Sequence, residues 1–165
     1  MWSAGAVEAI WTSVVAVGGT LLGAVVTQLF QRHASRRGES FARSEALRQE
    51  RMATFSAFAA AAEEYRHGQA DRWYRMRQDP DGQDFVRARD EAHRLRTATR
   101  QAGYRIRLLT DDPEVILAAE RAYACTRDVS TARDQAGRDA LDTRAREAIE
   151  TFVARASPLI HRTGA

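Results

Sequence analysis

The sequence contains no lysine, and its 25 lysine-plus-arginine residues are therefore all arginine. Without lysine the chain can neither form a lysine Schiff base nor use the lysine of a phosphate-binding loop. The bias towards arginine is typical of a high-GC genome. The only cysteine is Cys125, which excludes an internal disulfide and is compatible with a reducing compartment. Three prolines and ten glycines are too few for a fibrous or disordered chain.

Sequence patterns of enzymes and metal sites are also missing. There is no nucleophile elbow, phosphate loop or dinucleotide-binding loop. Glu64-x-x-His67 and Asp90-x-x-His93 have the spacing of di-iron ligands in helical bundles. Helical periodicity places both pairs on outward faces, where their side chains cannot converge. We predict no enzyme activity, no catalytic or metal site, no cofactor and no small-molecule substrate.

One long apolar stretch lies near the N-terminus, from Ala9 to Phe30. Its 22 residues carry no formal charge. As a helix it would span about 33 Å, which matches a bilayer core of about 30 Å. A cleaved signal peptide, with a basic start and a shorter apolar stretch, and a buried helix are the alternatives. We predict a retained single-pass transmembrane helix, within residues 1–31, that anchors the protein in the lipid bilayer.

Basic residues follow this span, whereas none precedes it. Because positive residues stay inside, we predict the inner (cytoplasmic) membrane, with the N-terminus outside and the C-terminal domain cytoplasmic. Residues 32–40 form a basic juxtamembrane linker in this interpretation. We expect the arginines of this linker, and one arginine just after it, to set the topology. They could also contact anionic headgroups at roughly 1 kcal/mol each. These residues are Arg32, Arg36, Arg37 and Arg43.

Small residues recur every four positions within the span, at Val15, Gly19, Gly23 and Thr27. Such a ridge allows two helix backbones to approach closely, as in the GxxxG pattern. We therefore predict packing through this ridge, either in a homo-oligomer or against a partner membrane protein.

Residues 41–157 are predicted to form a cytoplasmic helical bundle, followed by a tail at 158–165. The fold class is all-α: a transmembrane helix, then an antiparallel bundle of three to four long helices. The first bundle helix shows an apolar stripe with helical spacing. It consists of Leu47, Phe55, Phe58, Ala62, Tyr65, Trp73 and Met76. The segment from Asp79 to Gly82 is predicted to be a turn, and not a calcium loop.

The next helix carries apolar or small residues at alternating steps of three and four, which predicts lengthwise packing on a neighbour. These are Phe85, Ala88, Ala92, Leu95, Thr99, Ala102, Ile106 and Leu109. Asp112 and Pro113 predict a third helix start. The sequence leaves open whether Gly137 breaks the last helix, which Ser157-Pro158 is predicted to end.

Four arginines lie on one flank of the second bundle helix, beside its seam: Arg89, Arg96, Arg100 and Arg107. We interpret this flank as a possible partner surface that could bind phosphates. The alternative is pairing with acids of the later helices, namely Glu120, Asp128, Asp134 and Glu147. Formal charge falls from +4 over 32–77 to +2 over 79–110 and −2 from residue 111 onward. This division favours helix pairing over a uniformly basic nucleic-acid binder.

The segments GGTLLGAVVTQLFQRHASRR and SEALRQERMATFSAFAAAAEEYR resemble those of uncharacterised membrane-anchored helical proteins from high-GC bacteria. The resemblance covers about the first 75 residues. It implies an anchor and a helical tail, and it carries no functional residue to this chain.

These features favour a membrane-anchored scaffold or adaptor that acts through protein–protein interaction at the cytoplasmic membrane face. One alternative is a membrane-perturbing effector or toxin that oligomerises through its transmembrane helix. A membrane tether for nucleic acid is the least favoured, because few aromatic residues interleave with the arginines.

Overall fold

A computed structural model describes residues 42–161 of the chain. Contacts divide the chain into two units, Met1–Glu45 and Ala46–Ala165. The described residues belong to the second unit, except that residues 42–45 of the first begin helix α1. Of the described residues 92% are helical, which confirms the all-α class for this part of the chain.

Four helices make up the described part of the chain. Helix α1 covers residues 42–78, and α2 covers Gln83–Leu109. Helix α3 covers Pro113–Asp128 and continues into a single 3₁₀ turn at Val129–Thr131. Helix α4 covers Gln135–His161.

Contacts between α1 and its neighbours give the helix directions. Ala61 of α1 accepts a hydrogen bond from Thr99 of α2 (3.0 Å), and the later residue Gly103 faces the earlier residue Phe58. Helix α2 is therefore antiparallel to α1. On the α4 side, Arg66 of α1 meets Asp142, whereas the earlier Arg51 reaches the later Leu159, so α4 is also antiparallel to α1.

Helix α3 runs parallel to α1. Tyr65 stacks on Tyr123 with ring centroids 6.1 Å apart, and one turn later Gln69 donates to the carbonyl oxygen of Arg127 (2.7 Å). Both residue numbers rise together along this pair of helices. The four helices therefore form an up-down-up-down bundle, which confirms the predicted antiparallel arrangement of neighbours.

The core between α1 and α4 is built on three phenylalanines. Phe152 is fully buried and meets Phe58 edge to face, with centroids 4.7 Å apart, and Phe55 at 6.1 Å. Small alanines of α3 and α4 fill the space around these rings, so large and small residues interdigitate.

The predicted seam of α2 is confirmed. Ala88, Ala92, Leu95, Thr99 and Ile106 are buried, and the remaining seam positions are half-buried. The hydroxyl of Thr99 donates to the carbonyl oxygens of Ala61 and Leu95, which satisfies the one polar group of the seam.

The predicted turn and helix start are also confirmed. Residues 79–82 connect α1 to α2, with the Gly82 amide donating to the Asp79 carbonyl oxygen at 3.2 Å. The side chain of Asp112 accepts from the amides of Glu114 (3.0 Å) and Val115 (3.3 Å), which caps α3.

The stripe of α1 is buried at its centre and exposed at its ends. Phe55, Phe58, Ala62, Tyr65 and Trp73 are buried as predicted. Leu47 and Met76 are exposed, so the prediction was wrong for these two.

The prediction that Ser157-Pro158 ends the last helix was wrong, because α4 contains Pro158 and continues to His161. Proline removes one helical hydrogen bond, but tertiary contacts compensate beyond it. Leu159 and Ile160 pack against the core, and Arg51 donates to the Leu159 carbonyl oxygen at 3.1 Å.

Gly137 does not break a helix. The break falls at residues 132–134, and Gly137 lies in the first turn of α4, where its amide donates to the Asp134 carboxylate at 2.7 Å. Asp134 therefore works as a helix cap and not as a partner of the α2 arginines.

The predicted transmembrane span and its packing ridge, Val15, Gly19, Gly23 and Thr27, lie outside the described residues, as do Arg32, Arg36 and Arg37. Arg43 is an exposed residue of α1. Between residues 42 and 161, none of the helices combines the length and apolarity needed to cross a membrane.

Candidate functional site: a groove between helices α2 and α3

The bundle is packed unevenly, because α3 contacts α4 much more extensively than it contacts α2. A groove of about 230 Å³ opens where α2 and α3 separate, and Phe58 of α1 is among the residues that line it. Most of the groove surface is apolar. An open apolar groove on a helical bundle is the type of surface that receives a side chain or helix of another protein.

Gly103 makes room for the groove. A methyl group at this position would meet only Phe58, at an ordinary contact distance of 3.6 Å from its ring. The walls beyond it are formed by Ile106 of α2 and by Ile116 and Ala119 of α3. A glycine costs helix stability, and here it leaves the wall of the groove beside the buried ring of Phe58 without a side chain.

Polar residues lie at the rim of the groove. Arg107 forms an ion pair and a hydrogen bond with Glu120, which joins α2 to α3. Arg100 donates to the hydroxyl of Tyr104 at 2.8 Å and lies 5.9 Å from the centre of its ring. The hydrogen bond from Arg100 to Tyr104 raises the pKa of this guanidinium, which is positively charged at every physiological pH.

Exposed apolar side chains extend this surface. Tyr104 is 51% exposed, and Leu108, one turn further along the same face of α2, is 89% exposed. The groove and its rim therefore present apolar contact area beside permanent positive charge.

The four arginines of the predicted flank do not share one site. Arg100 and Arg107 line the groove, whereas Arg89 and Arg96 line a second, more polar cleft further along α2. Arg96 connects the two regions, because its Nε donates to the hydroxyl of Tyr123, which lines the groove (3.0 Å).

Of the four acids that were alternative partners for this flank, Glu120 pairs with Arg107. Asp128 pairs with its neighbour Arg127. Glu147 accepts a hydrogen bond from Thr151 through its backbone carbonyl oxygen. Pairing with the later helices therefore accounts for one of the four arginines.

Sequence analysis did not identify the groove. Its apolar walls come from α1, α2 and α3 together, and periodicity along one helix does not show where two helices separate. The available signal was Gly103, a residue that disfavours helix in the middle of α2.

The acid-and-histidine pairs are placed as helical periodicity predicts, since Glu64, His67, Asp90 and His93 are all exposed. A search of the described residues finds no group of three or more His, Cys, Asp or Glu side chains that could hold a metal ion. Cys125 is half-buried against the core.

Comparison with known proteins gives one family. Residues 52–160 match the family model described as KilB plasmid transfer protein. This match covers about two thirds of the chain and nearly the whole of α1 to α4. No curated protein matches the chain. No solved structure matches it.

Proposed function

Since the chain belongs to the KilB plasmid transfer protein family, we propose that its helical bundle takes part in plasmid transfer by binding a partner protein. The family match supports a role in plasmid transfer, and it covers the bundle rather than the N-terminal apolar segment. The role in transfer is therefore assigned to α1 to α4.

The groove between α2 and α3 is the proposed binding site. Its apolar lining and the exposed Tyr104 and Leu108 favour an apolar helix face as the occupant. Between residues 42 and 161, Arg100 has only a phenol as its hydrogen-bond partner, so a carboxylate on the incoming helix would gain an ion pair there. The proposed occupant is an amphipathic helix with acidic residues beside its apolar face.

The N-terminal span supports a location for this interaction. If residues 9–30 form the single membrane helix, the basic residues after it hold the bundle at the cytoplasmic face of the inner membrane. The protein then acts as an adaptor that brings its partner to the membrane, and Gly19 and Gly23 assemble copies of the chain within the bilayer.

Site-specific crosslinking in cells that are transferring the plasmid tests this proposal. A photoreactive residue replaces Tyr104 at the rim of the groove in the full chain. In the matched control it replaces Val153, which is 48% exposed on α4 and does not line the groove. We expect an adduct with a second protein that transfer requires, from position 104 and not from position 153.

Gly103→Leu provides the second arm, because the larger side chain would fill the groove from its own wall. The adduct at position 104 should disappear in this variant. Equal adducts from both positions would contradict a specific groove, and so would an adduct that persists in Gly103→Leu. An adduct only with another copy of the chain would replace the heterologous partner by self-association.

A further inference from the structure

A second cleft, of about 500 Å³, lies between α1, α2 and the end of α3. Arg72 of α1, Arg89 and Arg96 of α2 and Arg127 of α3 line it, and Asp90 is the only carboxylate among its lining residues. Four arginines and one aspartate give this cleft a formal charge of +3. The net charge of the entire chain is also +3. Acidic and basic residues therefore balance each other over the rest of the chain, whereas the lining of the cleft is positively charged.

Two arginines away from the cleft show close acidic pairing. Arg66 binds Glu63 at 2.8 Å and Asp142 at 2.6 Å, and Arg94 forms two hydrogen bonds with Glu91. These pairs neutralise the guanidinium charge where it occurs.

Acidic residues neutralise little of the arginine charge within the cleft. The guanidinium of Arg72 makes no hydrogen bond or ion pair among the described residues, although Arg72 is half-buried. Arg96 donates to a neutral phenol, that of Tyr123. Within the described part of the chain, the guanidinium groups of Arg89 and Arg127 each pair only with the carboxylate of the next residue, and these exposed pairs stabilise little.

The floor of the cleft is held in place by buried polar contacts. Gln69 is 2% exposed and donates to the Arg127 carbonyl oxygen at 2.7 Å, which fixes the backbone that carries this guanidinium. Tyr65 is 2% exposed and stacks on Tyr123. Ser130 is also among the lining residues. Several guanidinium groups that line one cleft over a fixed floor favour a tetrahedral oxyanion, which can accept hydrogen bonds from more than one of them.

We propose that this cleft binds a phosphate group, presented by a free phosphate ester or by a lipid headgroup. A phosphate monoester carries about −1.5 to −2 charges at neutral pH, and so offsets about half to two thirds of the +3 of the lining residues. Duplex nucleic acid fits less well, because it needs an extended basic face, whereas the chain from residue 111 onward has a formal charge of −2. The cleft is distinct from the groove, so this site stands without the proposed function.

Calorimetric titration of the full chain in nonionic detergent with inorganic phosphate, at constant ionic strength, tests the proposal. We expect saturable binding, weakened about tenfold or more by Arg72→Gln, the change that corresponds to roughly 1.4 kcal/mol. Because this side chain makes no hydrogen bond within the described bundle, the unfolding midpoint of the variant should be unchanged. Arg127→Gln serves as a second variant of the same cleft if Arg72→Gln does not fold.

Arg144→Gln is the matched control. It removes one positive charge from an exposed position of α4 that does not line the cleft. Binding to this variant should stay within about twofold of the original value, since a distant surface charge is screened. Absence of saturable binding at millimolar phosphate would overturn the proposal, as would equal weakening by Arg72→Gln and Arg144→Gln.

The source of the phosphate is distinguished with three probes. Glycerol 3-phosphate represents a free ester, and short-chain phosphatidylglycerol represents an anionic headgroup, with phosphatidylcholine of the same chain length as its control. Whichever of glycerol 3-phosphate and phosphatidylglycerol binds more tightly identifies the source, provided that Arg72→Gln weakens its binding. A duplex oligonucleotide that binds more tightly than both, with the same sensitivity to Arg72→Gln, would overturn the assignment to a small phosphate group.

Discussion

Replacing Phe152 with alanine should remove the contact that joins α4 to α1. The ring is fully buried and meets Phe55 and Phe58 edge to face, at 6.1 and 4.7 Å. Truncating a buried phenylalanine to alanine leaves a cavity and lowers the free energy of unfolding by about 3–5 kcal/mol. That loss is a large fraction of the roughly 5–15 kcal/mol by which a typical domain is stable.

Urea unfolding of the full chain in nonionic detergent, followed by circular dichroism at 222 nm, measures this loss. With a denaturant slope of about 2 kcal/mol per molar urea, a 4 kcal/mol loss lowers the midpoint by about 2 M. Val153→Ala is the matched control, because this neighbour on α4 is 48% exposed and its truncation should cost under about 1 kcal/mol.

A double-mutant cycle with Phe58→Ala tests the ring contact itself. Residues in direct contact are expected to be coupled by about 0.5–1.5 kcal/mol, so the double variant should lose less stability than the two single variants together. The reasoning is refuted if Phe152→Ala costs no more than Val153→Ala. Strict additivity of Phe58→Ala and Phe152→Ala would likewise refute the direct contact.

Three further changes test other parts of the bundle. Burial raises the pKa of Tyr65 from 10.0 to about 12, with the nearby Tyr123 contributing, so the unfolded chain ionises first and the free energy of unfolding should fall by up to roughly 2 kcal/mol between pH 10 and 12. Tyr65→Phe should abolish that part of the pH dependence. If the free energy of unfolding in urea falls equally from pH 8 to pH 11 in this variant and in the original chain, the prediction is contradicted. Asp112→Ala should cost about 1 kcal/mol, since the two amides it caps lose their acceptor, and an unchanged urea midpoint would argue against the cap. Gly103→Ala should raise stability by about 0.5–1 kcal/mol, because its methyl group fits at 3.6 Å from Phe58 and alanine favours the helix; a lower melting temperature would show that the position is more crowded than this distance implies.

Helices and buried faces could be predicted from the sequence because they follow local rules. The seam of α2 follows steps of three and four, and the cap at Asp112 needs only its own side chain and the next few amides. The helix end at Ser157-Pro158 was wrong because the rule used was local. Contacts of Leu159 and Ile160 with the core, between residues far apart in the chain, outweigh the loss of one helical hydrogen bond.

The candidate sites were only partly predictable for the same reason. The arginine flank of α2 is visible in the spacing of four residues, yet the structure divides it between an apolar groove and a basic cleft. Arg72 and Arg127 come to the cleft from other helices, and no spacing along the chain relates them to α2. The separation of α2 from α3, which opens the groove over Phe58, depends on the packing of all helices together.

The family match covers a part of the chain in which sequence motifs indicate no role. The sequence carries no catalytic or metal-binding pattern that would indicate a reaction, and the resemblance over the first 75 residues implied only an anchor and a helical tail. The match to the KilB plasmid transfer protein family lies over residues 52–160, where composition and periodicity indicate helices but no role.

The frequency of plasmid transfer is the most direct test of the proposed role of the groove. A strain that lacks the protein is complemented with the full chain or with either of two variants, at matched protein levels. Gly103→Leu fills the groove, and Ala154→Leu adds the same side chain at an exposed position of α4 outside it. We expect Gly103→Leu to lower transfer by about tenfold or more, as losing roughly 1.4 kcal/mol of partner binding would, while Ala154→Leu restores it fully. Full transfer with Gly103→Leu, or transfer that does not depend on the protein at all, would contradict the account.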